Sequence, residues 1–139
     1  MKIRDVMTNS VVQIDPEESV AVAARMLTHY NIGAMPVCSE NGRLWGMVTD
    51  RDMVTRCVAS GRSAEMTPVR DVMSGNPVYA TPEMEADEAV RLMGARQIRR
   101  LPVLEAGKVC GMVSLGDLSG MENAGNVLNQ ISNNVSSRK

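Results

Sequence analysis

A chain of 139 residues with a formal net charge of −1 gives nucleic acid no electrostatic reason to bind. With no Phe, one Trp and two Tyr it offers no platform for stacking single-stranded bases. No apolar run approaches the ~20 residues of a membrane span. The core must be built from Val, Ile, Leu, Ala and the 12 Met, which makes it adaptable. Cys38, Cys57 and Cys110 lie far apart, with no CxxC spacing, and read as structural thiols in a reducing compartment. Only His29 could join them, and the spacing does not suit zinc, so no metal is expected. The opening "MKIRDVMTNS" lacks the apolar core of a secretory leader, and a cytoplasmic location is expected.

In chain order, "VVQI" (11–14) reads as a short strand closed by Asp15-Pro16. A helix follows, because Val20, Ala23, Ala24 and Leu27 recur at helical spacing and Ser19 is a suitable N-cap. Two strands, "AMPVCS" and "LWGMVT", are divided by the hairpin signal Asn41-Gly42. The second strand runs into "GMVTDRD" (Gly46 to Asp52), and "DRDMVTRCVAS" predicts a helix with Met53, Val54, Cys57 and Val58 on one face. After "SGRSAEMTP" the series begins again. "RDVMTNSVVQIDPEESVAVAARML" (from Arg4) is echoed 66 residues later by "RDVMSGNPVYATPEMEADEAVRLM" (from Arg70). "VYA" is the strand, and Ala86, Val90 and Met93 mark the helix. "LPVLE" and "VCGMVS" form a hairpin across Ala106-Gly107, and "GMVSLGD" (Gly111 to Asp117) closes the second copy. The offset falls to 65 after Asn41, because the first copy carries one extra turn residue. The fold expected is α/β: two tandem βαββα repeats related by a pseudo-two-fold axis, their sheets facing a shared cleft. The boundaries are 1–60 for repeat 1, 61–68 for a linker, 69–121 for repeat 2 and 122–139 for a polar tail, partly helical or disordered. Apolar faces at Val22/Met26 and Met53/Cys57 exceed what one thin unit buries, which predicts a homodimer.

The repeated seven letters carry the chemistry. Gly46 and Gly111 leave the strand face open, as glycine does where another group approaches. By alternation Trp45, Met47 and Thr49 share one face, and Leu44 and Val48 the other. A hydroxyl followed three residues on by an acid is a capping box. The same pair at a helix start also suits a polyol that carries a phosphate, the acid accepting from ribose hydroxyls and the helix end favouring the anion. The two readings are compatible. His29 reads as a helix-end residue near solvent, with Ala95 at its counterpart, and Glu17, Glu18, Glu83 and Glu85 as acids near helix starts. No nucleophile–base pair is suggested, so no catalytic residue and no enzyme are expected.

The element order, the "LPV"-type strand and two G-h-x-[ST]-x-x-D endings in register resemble the cystathionine-β-synthase (CBS) domain. Two in tandem are similar to the CBS pair, or Bateman module, over residues 1–121. The chain is similar to the small stand-alone bacterial type, with no enzyme or channel domain attached. The resemblance implies a regulatory module binding AMP, ADP, ATP or S-adenosylmethionine in clefts between the repeats, with no cofactor required. It implies one cleft with Met47, Thr49, Arg51 and Asp52, walled by Asn76, Pro77 and Val78 and by Ile98, Arg99, Arg100 and Pro102. It implies another with Met112, Ser114, Gly116 and Asp117, walled by Thr8, Ser10 and Val11 and by Ile32, Gly33, Ala34 and Pro36. The first holds the arginines, so it is expected to be the main site for a phosphorylated ligand. Partners implied are a second copy and an unknown effector protein, with neither nucleic acid nor membrane. A ligand-free dimerisation or protein-interaction module is the alternative.

Overall fold

The computed structural model describes residues 1–118. The predicted tail at 122–139, and the end of repeat 2 from 119, lie outside them. The chain divides into two compact units, and the division is not the one between the sequence repeats. One unit, which holds Asp52, consists of Val12–Pro77 with Gly107–Val109. The other, which holds Asp117, consists, among the described residues, of Met1–Val11, Val78–Ala106 and Cys110–Leu118. Each repeat therefore gives its opening segment to the unit built mainly from the other repeat.

In the Asp52 unit, helix α1 (Val20–Tyr30) begins where the Ser19 hydroxyl accepts from the Val22 amide at 3.1 Å. Two further orphan amides of its first turn, Val20 and Ala21, donate to the carbonyls of Thr67 and Ala64, at 2.9 Å each. It ends at Asn31 in the left-handed region. Val20, Ala23 and Leu27 are buried, whereas Ala24 is exposed. Strands β1 (Ala34–Cys38) and β2 (Leu44–Thr49) pair antiparallel, and the Ser39 amide, donating to the Arg43 carbonyl at 3.0 Å, closes the loop Glu40–Asn41–Gly42, in which Gly42 takes φ +82°. A bulge leaves Trp45 unpaired, since Val37 faces Gly46 and Cys38 faces Leu44. The expected alternation of Trp45 with Met47 and Thr49 does not run cleanly through such a point. Helix α2 (Asp50–Met53) continues into a π-helical turn, Val54–Val58, marked by the bond from Ala59 N to Val54 O at 2.8 Å. A third strand that the sequence did not suggest, β3 (Ser74–Gly75), pairs with β2.

In the Asp117 unit, helix α3 (Ala86–Arg96) packs Ala86, Val90 and Met93 inward as its spacing predicts. Strands β4 (Arg100–Glu105) and β5 (Lys108–Ser114) form its hairpin. The turn here has two residues, Ala106 and Gly107, both at positive φ (54° and 80°). The one-residue slip in the repeat is thus the difference between a three-residue and a two-residue loop.

Two expectations change. "VVQI" and "VYA" are not strands. Each contributes a single parallel bridge, Ile14 to Val37 and Ala80 to Val103. The faces named for dimerisation are covered within the Asp52 unit. Met53 and Cys57 belong to its core, and Val22 and Met26 pack partly buried against it. Val54 and Val58, expected beside Met53 and Cys57, point to solvent at 58% and 67% exposure.

Candidate functional site

Thr49 ends β2, and its side-chain oxygen accepts from the Asp52 amide at 3.0 Å. Asp52 Oδ2 accepts in return from the Thr49 amide at 3.0 Å. The capping box is complete, and it fixes the carboxylate at the strand–helix corner. Asp52 Oδ1 accepts no hydrogen bond from the described residues. The corner is anchored a second time by the Asp50 amide, which donates to the Gly33 carbonyl at 3.1 Å. Asp52 is half-buried, and Asp50 and Arg51 on either side of it are exposed.

The Asp117 corner repeats this geometry. Ser114 N donates to Asp117 Oδ2 at 2.8 Å, and Asp117 N to Ser114 Oγ at 3.1 Å. The Leu115 amide donates to the Arg99 carbonyl at 2.8 Å, as Asp50 does to Gly33. The side chains differ, because buried Leu115 replaces exposed Asp50, and Gly116 replaces Arg51.

The repeated glycine has a different cause from the one expected. A Cβ on Gly46 would overlap the Ser74 carbonyl oxygen and lie 3.1 Å from the Met73 sulfur. A Cβ on Gly111 would lie 2.7 Å from the Met7 sulfur and 3.0 Å from the Thr8 carbonyl oxygen. What approaches each glycine is the exchanged segment of the other repeat, pairing as Gly46–Gly75 and Met47–Ser74 in one unit and as Thr8–Met112 in the other. The open face is filled by protein.

The Asp52 unit brings together Met47, Thr49, Arg51, Asp52, Asn76 and Pro77, and with them Ile32, Gly33, Ala34 and Pro36. There Ala34 pairs with Thr49 and Pro36 with Met47. Asn76 follows β3 at φ 49°, a conformation that proline next in sequence makes unusual. The Asp117 unit holds Thr8, Ser10, Val11, Met112, Ser114, Gly116 and Asp117, with Val78, Ile98, Arg99, Arg100 and Pro102. In it, Ala80 N donates to the Pro102 carbonyl at 2.9 Å.

Sequence reasoning missed Arg56. Its Nη1 donates to the carbonyls of Val72 at 3.1 Å and Met73 at 3.0 Å. The available signal was an arginine one helical turn after Asp52 whose repeat-2 counterpart, 65 residues on, is Met121. The three thiols are free. Burial raises Cys38 to about 11. Burial first, and then the Glu105 charge, raise Cys110. His29 lies at the exposed end of α1, edge-on to Tyr30. Among the described residues no group of three or more His, Cys, Asp or Glu could hold a metal ion, and no helix is long and apolar enough to cross a membrane.

The CBS domain model matches this chain twice, over residues 3–59 and 69–121. The chain belongs to the CBS domain family. It is a CBS domain pair, a regulatory module. It is 41% identical over 134 residues to the CBS domain-containing protein YhcV of Bacillus subtilis, covering 94% of each chain. It is 29% identical to Hypoxic response protein 1 of Mycobacterium tuberculosis over 84% of this chain and 81% of that one. A crystal structure of Hypoxic Response Protein I with two coordinated zinc ions matches at TM-score 0.80 and 28% identity, covering 86% of this chain and 97% of that one. The CBS domain pair of protein MJ0100, in complex with 5-methylthioadenosine and S-adenosyl-L-methionine, matches at TM-score 0.77 and 23% identity, covering 86% and 93%. That last likeness is one of fold.

Proposed function

We propose that this CBS pair senses a phosphorylated adenosine ligand, AMP, ADP or ATP, with Asp52 as the acid that accepts from the ribose hydroxyls. The observation that carries the reading is the Asp52 carboxylate. One oxygen is committed to the Thr49 amide, and the other accepts nothing among the described residues. A carboxylate fixed by its cap loses little freedom when it receives a diol. Arg51 on the same turn supplies positive charge for phosphate. Arg99 and Arg100, which the resemblance names as well, lie exposed in the Asp117 unit. Asp117 has the cap without a neighbouring cation at Gly116, so its site is the weaker of the two. S-adenosylmethionine is the competing adenosyl ligand, and the ligand complex of the MJ0100 pair gives a reason to include it and 5-methylthioadenosine in the screen.

Calorimetric titration of these compounds into wild type, Asp52→Ala and Asp117→Ala tests the reading. AMP or ATP binding should fall about tenfold or more in Asp52→Ala, the loss of one charge-assisted hydrogen bond of ~1.5–3 kcal/mol. Asp117→Ala should leave it nearly unchanged. Loss of affinity in Asp117→Ala alone would reverse the ranking, and no adenosyl binding by wild type would end the reading.

A second reading, association with another copy, is favoured by Val54, Val58 and Met66, exposed at 58%, 67% and 83%. Sedimentation at micromolar concentration should give a homodimer, and Val54→Lys should return it to monomer.

A further inference from the structure

Arg56 links two parts of the Asp52 unit that the ligand reading needs at a fixed distance. It stands on the helical segment that carries Asp52 in its first turn, in the middle of the π turn Val54–Val58. Its Nη1 holds the carbonyls of Val72 and Met73. From there the chain runs through two paired residues, Ser74 and Gly75, into the left-handed Asn76 and then Pro77. The same chain is pressed against Gly46, where no Cβ fits. The segment is thus clamped between β2 on one side and a guanidinium from the acid's own helix on the other. The counterparts in sequence are Val6 and Met7 for the two carbonyls and Met121, a residue type that cannot donate, for Arg56.

We propose that Arg56 is a positioning residue for ligand binding: it sets the Asn76–Pro77 segment, the wall for the base, against the Asp52 carboxylate that takes the ribose. The proposal rests on the reading of the Asp52 site given above. Arg56 acts through the backbone it holds and need not touch ligand. It therefore affects a ligand that carries a base and spares one that does not. A purely structural or net-charge role would affect both alike.

The test is to titrate AMP and ribose 5-phosphate into wild type, Arg56→Met and Arg56→Lys, the sugar phosphate by competition if its heat is small. Circular dichroism and unfolding without ligand check that the variants fold. In Arg56→Met, AMP binding should weaken about tenfold, or about 1.4 kcal/mol, with ribose 5-phosphate unchanged. Arg56→Lys, which keeps a donor but not its reach and planarity, should fall between. If Arg56→Met does not fold, the lysine variant decides alone, by the same selective loss. Unchanged AMP affinity, or equal losses for both ligands, would overturn the proposal while leaving the Asp52 reading intact. Wild type that binds neither compound would overturn the reading itself, and the proposal with it.

Discussion

Around Asp52 the strand end is followed by Asp50 and Arg51, with Arg56 one turn on; around Asp117 the same places hold Leu115, Gly116 and, in sequence, Met121. The backbone arrangement at the two corners is nonetheless the same. Each acid closes a capping box, each corner is anchored by an amide-to-carbonyl bond to the strand entrance, and each strand carries a glycine under an exchanged segment. The parts the fold requires were kept in both copies, and the charged side chains it does not require differ. A repeated motif here is evidence of repeated architecture first. Ligand chemistry is to be sought where the copies disagree.

The strongest way to break the comparison is at the glycines. They occupy the same place and meet the same kinds of atoms, a methionine sulfur and the next residue's carbonyl oxygen, in a different order of closeness. At Gly46 the obstacle is a backbone oxygen of paired β3, which cannot step aside cheaply. At Gly111 the nearest atom is the sulfur of a flexible methionine. Gly46→Ala should cost about 3 kcal/mol and Gly111→Ala about 1 kcal/mol, within the span measured for overpacking. Urea unfolding midpoints check this, and equal losses would mean that the Met7 side chain is as immovable as the Ser74 carbonyl.

The thiols sharpen the contrast by a smaller margin. Cys38 is 2% exposed with its pKa raised to about 11 by burial, whereas Cys110 is partly open. Alkylation of the native protein at pH 8, followed by mass spectrometry, should modify Cys110 at least about tenfold faster than Cys38. The sign of the linkage also follows. An acid whose folded pKa is raised stabilises the fold fully below the ordinary thiol range and loses that contribution as pH rises from about 9 through about 11. Cys38→Ala should therefore flatten the alkaline loss of stability, and an unchanged alkaline profile would count against a buried, neutral Cys38.

Much of this was legible in the letters. The 66-residue echo is visible by direct comparison of the letters, and the Ser19 cap, the hairpins and the Thr49–Asp52 box rest on short-range rules, in which a residue's partner lies within a few positions. What was not legible involves partners far along the chain. Apolar periodicity placed Met53 and Val54 on one face. Which of them is covered depends on Val69 and Val72, which arrive from the linker side to join the same core, and on a π turn that shifts the spacing. "VVQI" and "VYA" have strand composition, yet each finds a partner at one residue only. The exchanged segments were hidden for the same reason. Gly46 announced that something comes close, but a single sequence does not say whether that something is ligand or the chain's own Ser74. At the site, the capping box and the acid were readable from spacing, whereas Arg56 acts on carbonyls 16 and 17 residues away.

The smallest effect concerns the two hairpin turns, where a swap of residues asks whether the copies use Asn alike. In the second turn Ala106 sits at φ 54°, where its Cβ crowds the backbone and where Asn is far better tolerated. Ala106→Asn would make the Asn-Gly pair that a two-residue turn prefers. It should stabilise by about 0.5–1 kcal/mol, raising Tm by about 2–4 °C. In the first turn Asn41 is not among the residues at positive φ; Gly42 alone takes that role. Asn41 works instead through Oδ1, which accepts from the Ser39 hydroxyl at 2.5 Å and the Arg43 amide at 3.3 Å. Asn41→Ala should cost about 0.5–1 kcal/mol through those exposed bonds, and Asn41→Asp, which keeps the acceptor, should restore it. If Ala106→Asn gives no gain while Asn41→Ala still costs, the second turn relieves its strain elsewhere. If Asn41→Asp fails to rescue, the conformational preference of Asn, rather than its acceptor, governs the first turn, and the two hairpins are more alike than their loop lengths suggest.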